Sequence, residues 1–321
     1  MGVLLEKTKI AENLLTNLSE LLGHFRGGLA ITVVLVGMLM AASTGIVGAT
    51  VVTMGMMSLP IMLQRGYQPS LATGTIAATG TLGQIIPPSI ALVLLGDVLS
   101  NAYQQAQLNM GIFAPKSVSV GDLFAGSLIP GLLLVVLYLL YLILRAVFTP
   151  AAMPERPKTK AVALPSILSA LLPPLLLIIA VLGSIIAGYA TPTEAAGVGA
   201  MGALILAAAY GRLTVDTLRA TCAASMSTTA MVFFILIGAS IFSLVFRGFG
   251  GDEIVQSTFN NMPGGMWGAL AIVMLVIFLL GFILDFIEIT FVVVPIVGPA
   301  LMAMGVDPIW LGVLIAVNLQ T

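Results

Sequence analysis

Asp285 and Glu288 are the only acids between Glu253 and Asp307, and the residues around them are almost all apolar. A carboxylate in an apolar span is costly to keep there, so each is a candidate for binding substrate or coupling an ion. Standing three apart, they would share one face of a helix. In the plainer reading, one or both reach a water-filled cavity or a cation on a partner chain. Glu194 is a third candidate. It lies in Thr191-Pro192-Thr193-Glu194-Ala195-Ala196, bounded by long apolar runs. An early Pro and an acid in the first turn mark a helix start, so Glu194 is either a cap or a working carboxylate.

A second set of residues suits a cation. Ser43-Thr44-Gly45 sits in the middle of residues 27–64, which carry no charge. That run is too long for one span and slightly short for two with a turn. It reads as a re-entrant helical hairpin whose tip is covered by protein, because irregular backbone at membrane depth needs cover or a cavity. Two tilted spans packed through small residues are the alternative. Further on stands Gly80-Thr81-Leu82-Gly83-Gln84-Ile85-Ile86-Pro87-Pro88-Ser89. Two glycines and a Pro-Pro pair break a helix. The freed carbonyls need partners, and a bound cation can be one. A broken helix at mid-depth is the usual ion or substrate site of a secondary transporter. A simple proline kink is the competing explanation.

Composition excludes most other chemistry. Hydrophobic residues make up 59% of the chain and charged residues 8%, against about 25% charged in soluble domains. Lipid must solvate most of the surface, and the lipid bilayer is the first partner. Continuous apolar runs, rather than short alternating segments, make the fold all-α and polytopic instead of a β-barrel. A net charge of −1 offers no basic face for nucleic acid. Cys222 is the only cysteine and His24 the only histidine. One cysteine excludes a Cys-rich metal site, one histidine leaves few options for zinc or a catalytic triad, and no enzyme is expected. His24, beside Arg26, reads as an interfacial histidine.

The elements that would hold these residues follow from the charge spacing. Residues 1–26 form an amphipathic interfacial helix. Residues 27–148 form a first repeat: hairpin, broken helix, polar connector at 98–121, then a span at about 124–145. Residues 149–162, with Arg156, Lys158 and Lys160, form a basic loop expected on the cytoplasmic side. Residues 163–321 form a second repeat, with spans near 163–189, 224–246 and 266–284 and an amphipathic stretch at 211–223.

The repeat is visible in the punctuation. Pro60, Gly66 and Pro69 recur as Pro299, Gly305 and Pro308, and Gly27-Gly28 as Gly264-Gly265. Interrupted helices in both halves mark a repeat-built transporter. An odd number of crossings between the halves would invert one against the other.

With these motifs in hand, the chain resembles the large membrane subunit of tripartite ATP-independent periplasmic (TRAP) transporters. The resemblance rests on Gly80-Thr81-Leu82-Gly83 with Ile86-Pro87-Pro88-Ser89, on Thr191 to Ala196, and on Gly27-Gly28-Leu29-Ala30, Ser43-Thr44-Gly45, Leu284-Asp285 and Asn318-Leu319-Gln320-Thr321. It implies an inverted repeat of elevator type in the bacterial inner membrane. It also implies a sodium-coupled importer of organic acids. The partners would be a small membrane subunit and a periplasmic binding protein. One sodium would lie at Ser43, Thr44, Gly45, Gly80, Thr81, Gly83, Pro87 and Ser89. A second would lie at the second hairpin with Asn318 and Thr321, and substrate between the tips. Asp285, Glu288 and Glu194 are the candidates for substrate contact or coupling. A stand-alone sodium- or proton-coupled carboxylate carrier of similar hairpin architecture is the alternative. At the first tip the family usually reads Ser-Gly-Ser-Ser, whereas this chain has Ser43-Thr44-Gly45-Ile46. The first repeat sets Pro87-Pro88 21 and 22 residues after Gly66. The same spacing after Gly305 falls beyond Thr321, so the second repeat is expected to be truncated here.

Overall fold

The structure, a computed structural model, describes residues 1–8, 10–22, 25–45, 47–153 and 164–320. His24, Arg156, Lys158, Lys160 and Thr321 lie outside the described residues, as do the side chains of Ser43 and Thr44. Among the described residues every regular element is helical. In chain order these are α1 (Gly2–Lys7), α2 (Ile10–Leu21), α3 (Gly28–Thr44), α4 (Val47–Gln64), α5 (Pro69–Thr81), α6 (Ile90–Asn109), α7 (Val120–Phe148) and α8 (Leu164–Ile186). They continue with α9 (Pro192–Ala209), α10 (Val215–Gly248), α11 (Gly251–Asn260), α12 (Gly265–Leu280), α13 (Phe286–Glu288), α14 (Val294–Ala303) and α15 (Pro308–Asn318).

Among the described residues, five helical stretches are long and apolar enough to cross a membrane: Val47–Gln64, Val120–Phe148, Pro192–Ala209, Val215–Gly248 and Phe286–Ala303. Their outer faces agree with a lipid solvent. On α10 only Ala239 is buried, while Phe234 is 78% and Leu244 74% exposed. So large an apolar surface would not persist in water. By contrast α3 and α12, at about 1.5 Å per residue, run about 26 and 24 Å, short of a hydrocarbon core of about 30 Å.

The described helices depart from the sequence expectation in three places. The stretch read as one amphipathic helix is two, α1 and α2. The polar connector is helical through Asn109, because Asn and Gln interrupt hydrophobicity without breaking a helix. The separate amphipathic segment and span after 211 form one 34-residue helix. No Gly or Pro stands between Arg212 and Ile237 to end it.

The chain folds into two compact units, Met1–Ile90 with Leu128–Ala224, and Ala91–Ser127 with Ser225–Thr321. Each draws on both sides of the 149–162 loop. In the first, α3, α4 and α5 pack on one another around Ala30, Val33, Met54, Met62 and Ala72, all fully buried. Gly37 permits this: a Cβ there would clash with the Thr79 side chain. In the second, α15 packs against α6 and α7 through Gly312, where a Cβ would lie 2.6 Å from Leu99 and 2.7 Å from Leu123. Trp267 of α12 meets Trp310 of α15 edge to face at 5.7 Å.

The repeat seen in the sequence is a repeat of local structure. Gly66 ends α4 at φ 82° and Gly305 ends α14 at φ 99°, a left-handed conformation that favours glycine. Gly66 N donates to Leu63 O and Tyr67 N to Met62 O. Gly305 N donates to Met302 O and Val306 N to Leu301 O. This is the same pair of end-of-helix bonds at the same offsets. Pro69 and Pro308 then open α5 and α15, where proline's missing N–H costs nothing.

Candidate functional site

The broken helix is real in the first unit. α5 stops at Thr81, a 3-10 turn covers Leu82–Gln84, and α6 starts only at Ile90. The peptide between Pro87 and Pro88 is cis. Ser89, which is buried, donates from its hydroxyl to Gln84 O at 3.0 Å. The segment is enclosed: Gly80, Gly83, Gln84, Pro87 and Ser89 are all buried.

The first hairpin tip is brought to this break. Gly45 turns the chain between α3 and α4 at φ 65°. A Cβ on it would sit 2.9 Å from Ile90 N, so tip backbone touches the start of α6. Gly80 lies against α4, where a Cβ would come within 3.2 Å of Val51 Cα. The sequence candidates Gly45, Gly80, Gly83, Pro87 and Ser89, all buried, and the half-buried Thr81 therefore lie at one locus.

Its polar groups suit a hard cation. Thr81 donates from Oγ1 to Ala78 O at 2.9 Å, and the phenol of Tyr138 on α7 lies near the same side chain. Gln84 Oε1 is buried with no hydrogen-bond partner. An orphaned buried acceptor is costly, and an ion held by oxygen ligands relieves that cost. Gln84 and Tyr138 were not among the residues singled out from sequence. Gln84 stood inside the broken-helix motif and only its missing donor distinguishes it. Tyr138 has no sequence signal, since it lies about two helices away.

In the second unit, Asp285 and Glu288 do not share a helix face. Asp285 is extended (φ −73°, ψ 160°) and is the N-cap of α13. Its Oδ1 accepts from Phe286 N at 2.8 Å, and Glu288 Oε2 accepts from Asp285 N at 3.3 Å. The two acids form a reciprocal cap because the chain must restart a helix after the turn that follows α12. A π-helical turn at Ile289–Val293 comes next, and Thr290 Oγ1 within it is buried without a partner. Such turns recur at functional sites. Asn318, at the end of α15, donates from Nδ2 to Met274 O of α12 at 2.7 Å. Gln320 Oε1 is buried and unpartnered, so an orphan acceptor follows α15 as one follows α5.

Glu194 belongs to neither locus. It is the third residue of α9 and forms a capping box with Thr191. Its Oε2 accepts from Thr191 N and Oγ1, both at 2.8 Å, while Glu194 N donates back to Thr191 Oγ1 at 3.3 Å.

A broken helix is a recurrent feature of secondary transporters, and comparison with known proteins gives a transporter family. A family model described as "Tripartite ATP-independent periplasmic transporter, DctM component" matches residues 1–321. The chain belongs to this family. It is 31% identical to the C4-dicarboxylate TRAP transporter large permease protein DctM of Pseudomonas aeruginosa, over 99% of this chain and 70% of that protein. It is 26% identical to the ectoine TRAP transporter large permease protein TeaC of Halomonas elongata, over 96% of this chain and 68% of that one. It is 29% identical to the isethionate TRAP transporter permease protein DctMQ of Oleidesulfovibrio alaskensis, over 99% of this chain and 47% of that one. The family makes this a multi-pass inner-membrane transport component and not an enzyme.

Proposed function

We propose that this chain is the carrier subunit of a sodium-driven importer of small organic acids. It would work with a small membrane subunit and a periplasmic protein that delivers the substrate. The observation that carries the reading is the buried Gln84 Oε1, left without a donor beside the Gly45 tip and the broken end of α5. Sodium would be held there by Gln84, the Thr81 hydroxyl and carbonyls of the break, with Ser43 and Thr44 supplying the tip. A second sodium would use Asn318, Gln320 and Thr321 after α15. Each cation offsets the negative ends of backbone dipoles and lets an anionic substrate enter a low-dielectric site. Asp285 would couple substrate to ion from the second hairpin. The repeat would be inverted, and the hairpins would carry the load by an elevator movement.

The relatives' substrates support the chemical class: a C4-dicarboxylate, ectoine and isethionate each bear an acid group. The experiment is uptake into vesicles holding the reconstituted subunits and binding protein, with sodium, potassium or proton gradients imposed in turn. Sodium alone should drive accumulation of an acid. Accumulation driven equally by a proton gradient without sodium would overturn the coupling.

A further inference from the structure

The unit Ala91–Ser127 with Ser225–Thr321 contains a cavity of ≈ 770 Å³ whose lining includes none of the residues proposed above to hold ion or substrate. One wall is the face of α6 bearing Asp97, Asn101 and Gln104, spaced as one helical stripe. A second wall is the face of α10 bearing Ser240, Ser243 and Arg247. Phe291 and Pro295 of the second hairpin also line it, and apart from Gln105 the rest of the lining is apolar.

The charges are the informative feature. Only 8% of the chain is charged, yet one cavity holds both an Asp and an Arg, and they do not pair. Arg247 meets Asp252 through Nε at 3.5 Å, a long single contact that leaves the outer guanidinium nitrogens to other acceptors. Among the described residues Asp97 has no ion pair or hydrogen bond. Asp97 therefore lacks a counter-charge among the described residues, and Arg247 has only its one long contact with Asp252, so each can take a further partner of opposite charge from a molecule in the cavity. A single molecule with an anionic group, an ammonium group and an apolar body would satisfy both and fill the rest. The volume lies within the ordinary range of ligand sites.

We propose that this cavity binds a zwitterionic aminophospholipid, phosphatidylethanolamine. Its phosphate is held by Arg247 with Ser243, its ammonium by Asp97 with Asn101, and an acyl chain lies along Phe233 and Val98. Arginine is suited to the phosphate because its planar fork donates two parallel bonds. The primary ammonium supplies donors that a carboxylate and an amide oxygen accept. A phosphatidylglycerol headgroup would leave Asp97 without a cation to pair with. The bilayer supplies the occupant wherever the protein resides, and this inference does not depend on the sodium reading.

The test uses the membrane subunit purified with its small subunit, stripped of lipid and titrated with defined lipids under native mass spectrometry. The wild type should retain one phosphatidylethanolamine at least about tenfold more tightly than phosphatidylglycerol, as a charge-assisted bond requires. Asp97→Asn should erase that preference, and Arg247→Gln should weaken both lipids. Both residues are exposed, so neither change should disturb folding, and thermal melting checks this. Equal retention of the two lipids by the wild type would overturn the proposal, as would an unchanged preference in Asp97→Asn. Ser243→Cys, labelled with a maleimide photo-cross-linker and irradiated in bilayers, should capture phosphatidylethanolamine. Capture of a helix of the small subunit instead would show that protein fills the cavity and would equally overturn it.

Discussion

Asn318 donates from its side-chain amide to the main-chain carbonyl of Met274 at 2.7 Å, and the pair at the matching repeat positions is Thr79 and Gly37. There the contact is steric, with the threonine seated where a Cβ on Gly37 would fall. In both units, therefore, the helix after the Gly-x-x-Pro turn is pinned to the first leg of its own hairpin. One unit uses a close approach and the other a hydrogen bond. Asn318→Ala should cost about 1 kcal/mol of stability, read as a lower melting temperature in detergent. An unchanged melting curve would show that the bond holds nothing.

Gly45 and Gly66 separate strain from crowding. Both have left-handed φ, but only Gly45 faces a neighbour: a Cβ there would stand 2.9 Å from Ile90 N, whereas one on Gly66 would meet open space. Gly66→Ala should fold with a penalty of about 1 kcal/mol and still transport. Gly45→Ala should displace the tip from the broken helix and abolish sodium-driven uptake. Equal uptake by the two variants would refute the tip's role.

Thr81→Val keeps the shape of the side chain and removes its oxygen. The concentration of sodium giving half-maximal uptake should rise several-fold. Tyr138→Phe, which leaves the Thr81 oxygen in place, should produce a smaller rise. If Thr81→Val leaves the sodium dependence untouched, the hydroxyl is no ligand.

Asp285 both caps a helix and carries a charge, and two substitutions distinguish these roles. Asparagine caps nearly as well as aspartate, whereas alanine does not. Asp285→Asn should therefore melt like the wild type but transport poorly, and Asp285→Ala should lose both properties. Normal uptake by Asp285→Asn would remove the charge from the mechanism.

Glu194 is predicted to matter for folding and not for coupling, because its carboxylate is engaged by Thr191. Glu194→Gln retains an acceptor for the capping box and should transport normally, with the same sodium dependence. Loss of uptake in a stably inserted Glu194→Gln protein would make the carboxylate a working group.

The sequence by itself determined the properties that depend on the chain's own composition and local geometry. Sparse charge dictated lipid as solvent. Gly80, Gly83, Pro87 and Pro88 dictated a broken helix, because a missing N–H and a ring clash act on the nearest turn wherever the segment lies. The recurrence of Gly66 and Pro69 as Gly305 and Pro308 dictated two like turns, because a left-handed residue and a fixed φ are intrinsic to glycine and proline. Tertiary structure alone decided what each polar side chain does. Asp285 with Glu288, and Glu194 with Thr191, became caps because restarting helices left N–H groups that these oxygens could reach. Gln84 became an orphaned acceptor because packing buried it away from every donor. Asp97 and Arg247, 150 positions apart in the chain, came to line one cavity because α6 and α10 fold into the same unit. Satisfaction of a polar group is a property of its spatial neighbours, and those neighbours come from distant parts of the chain.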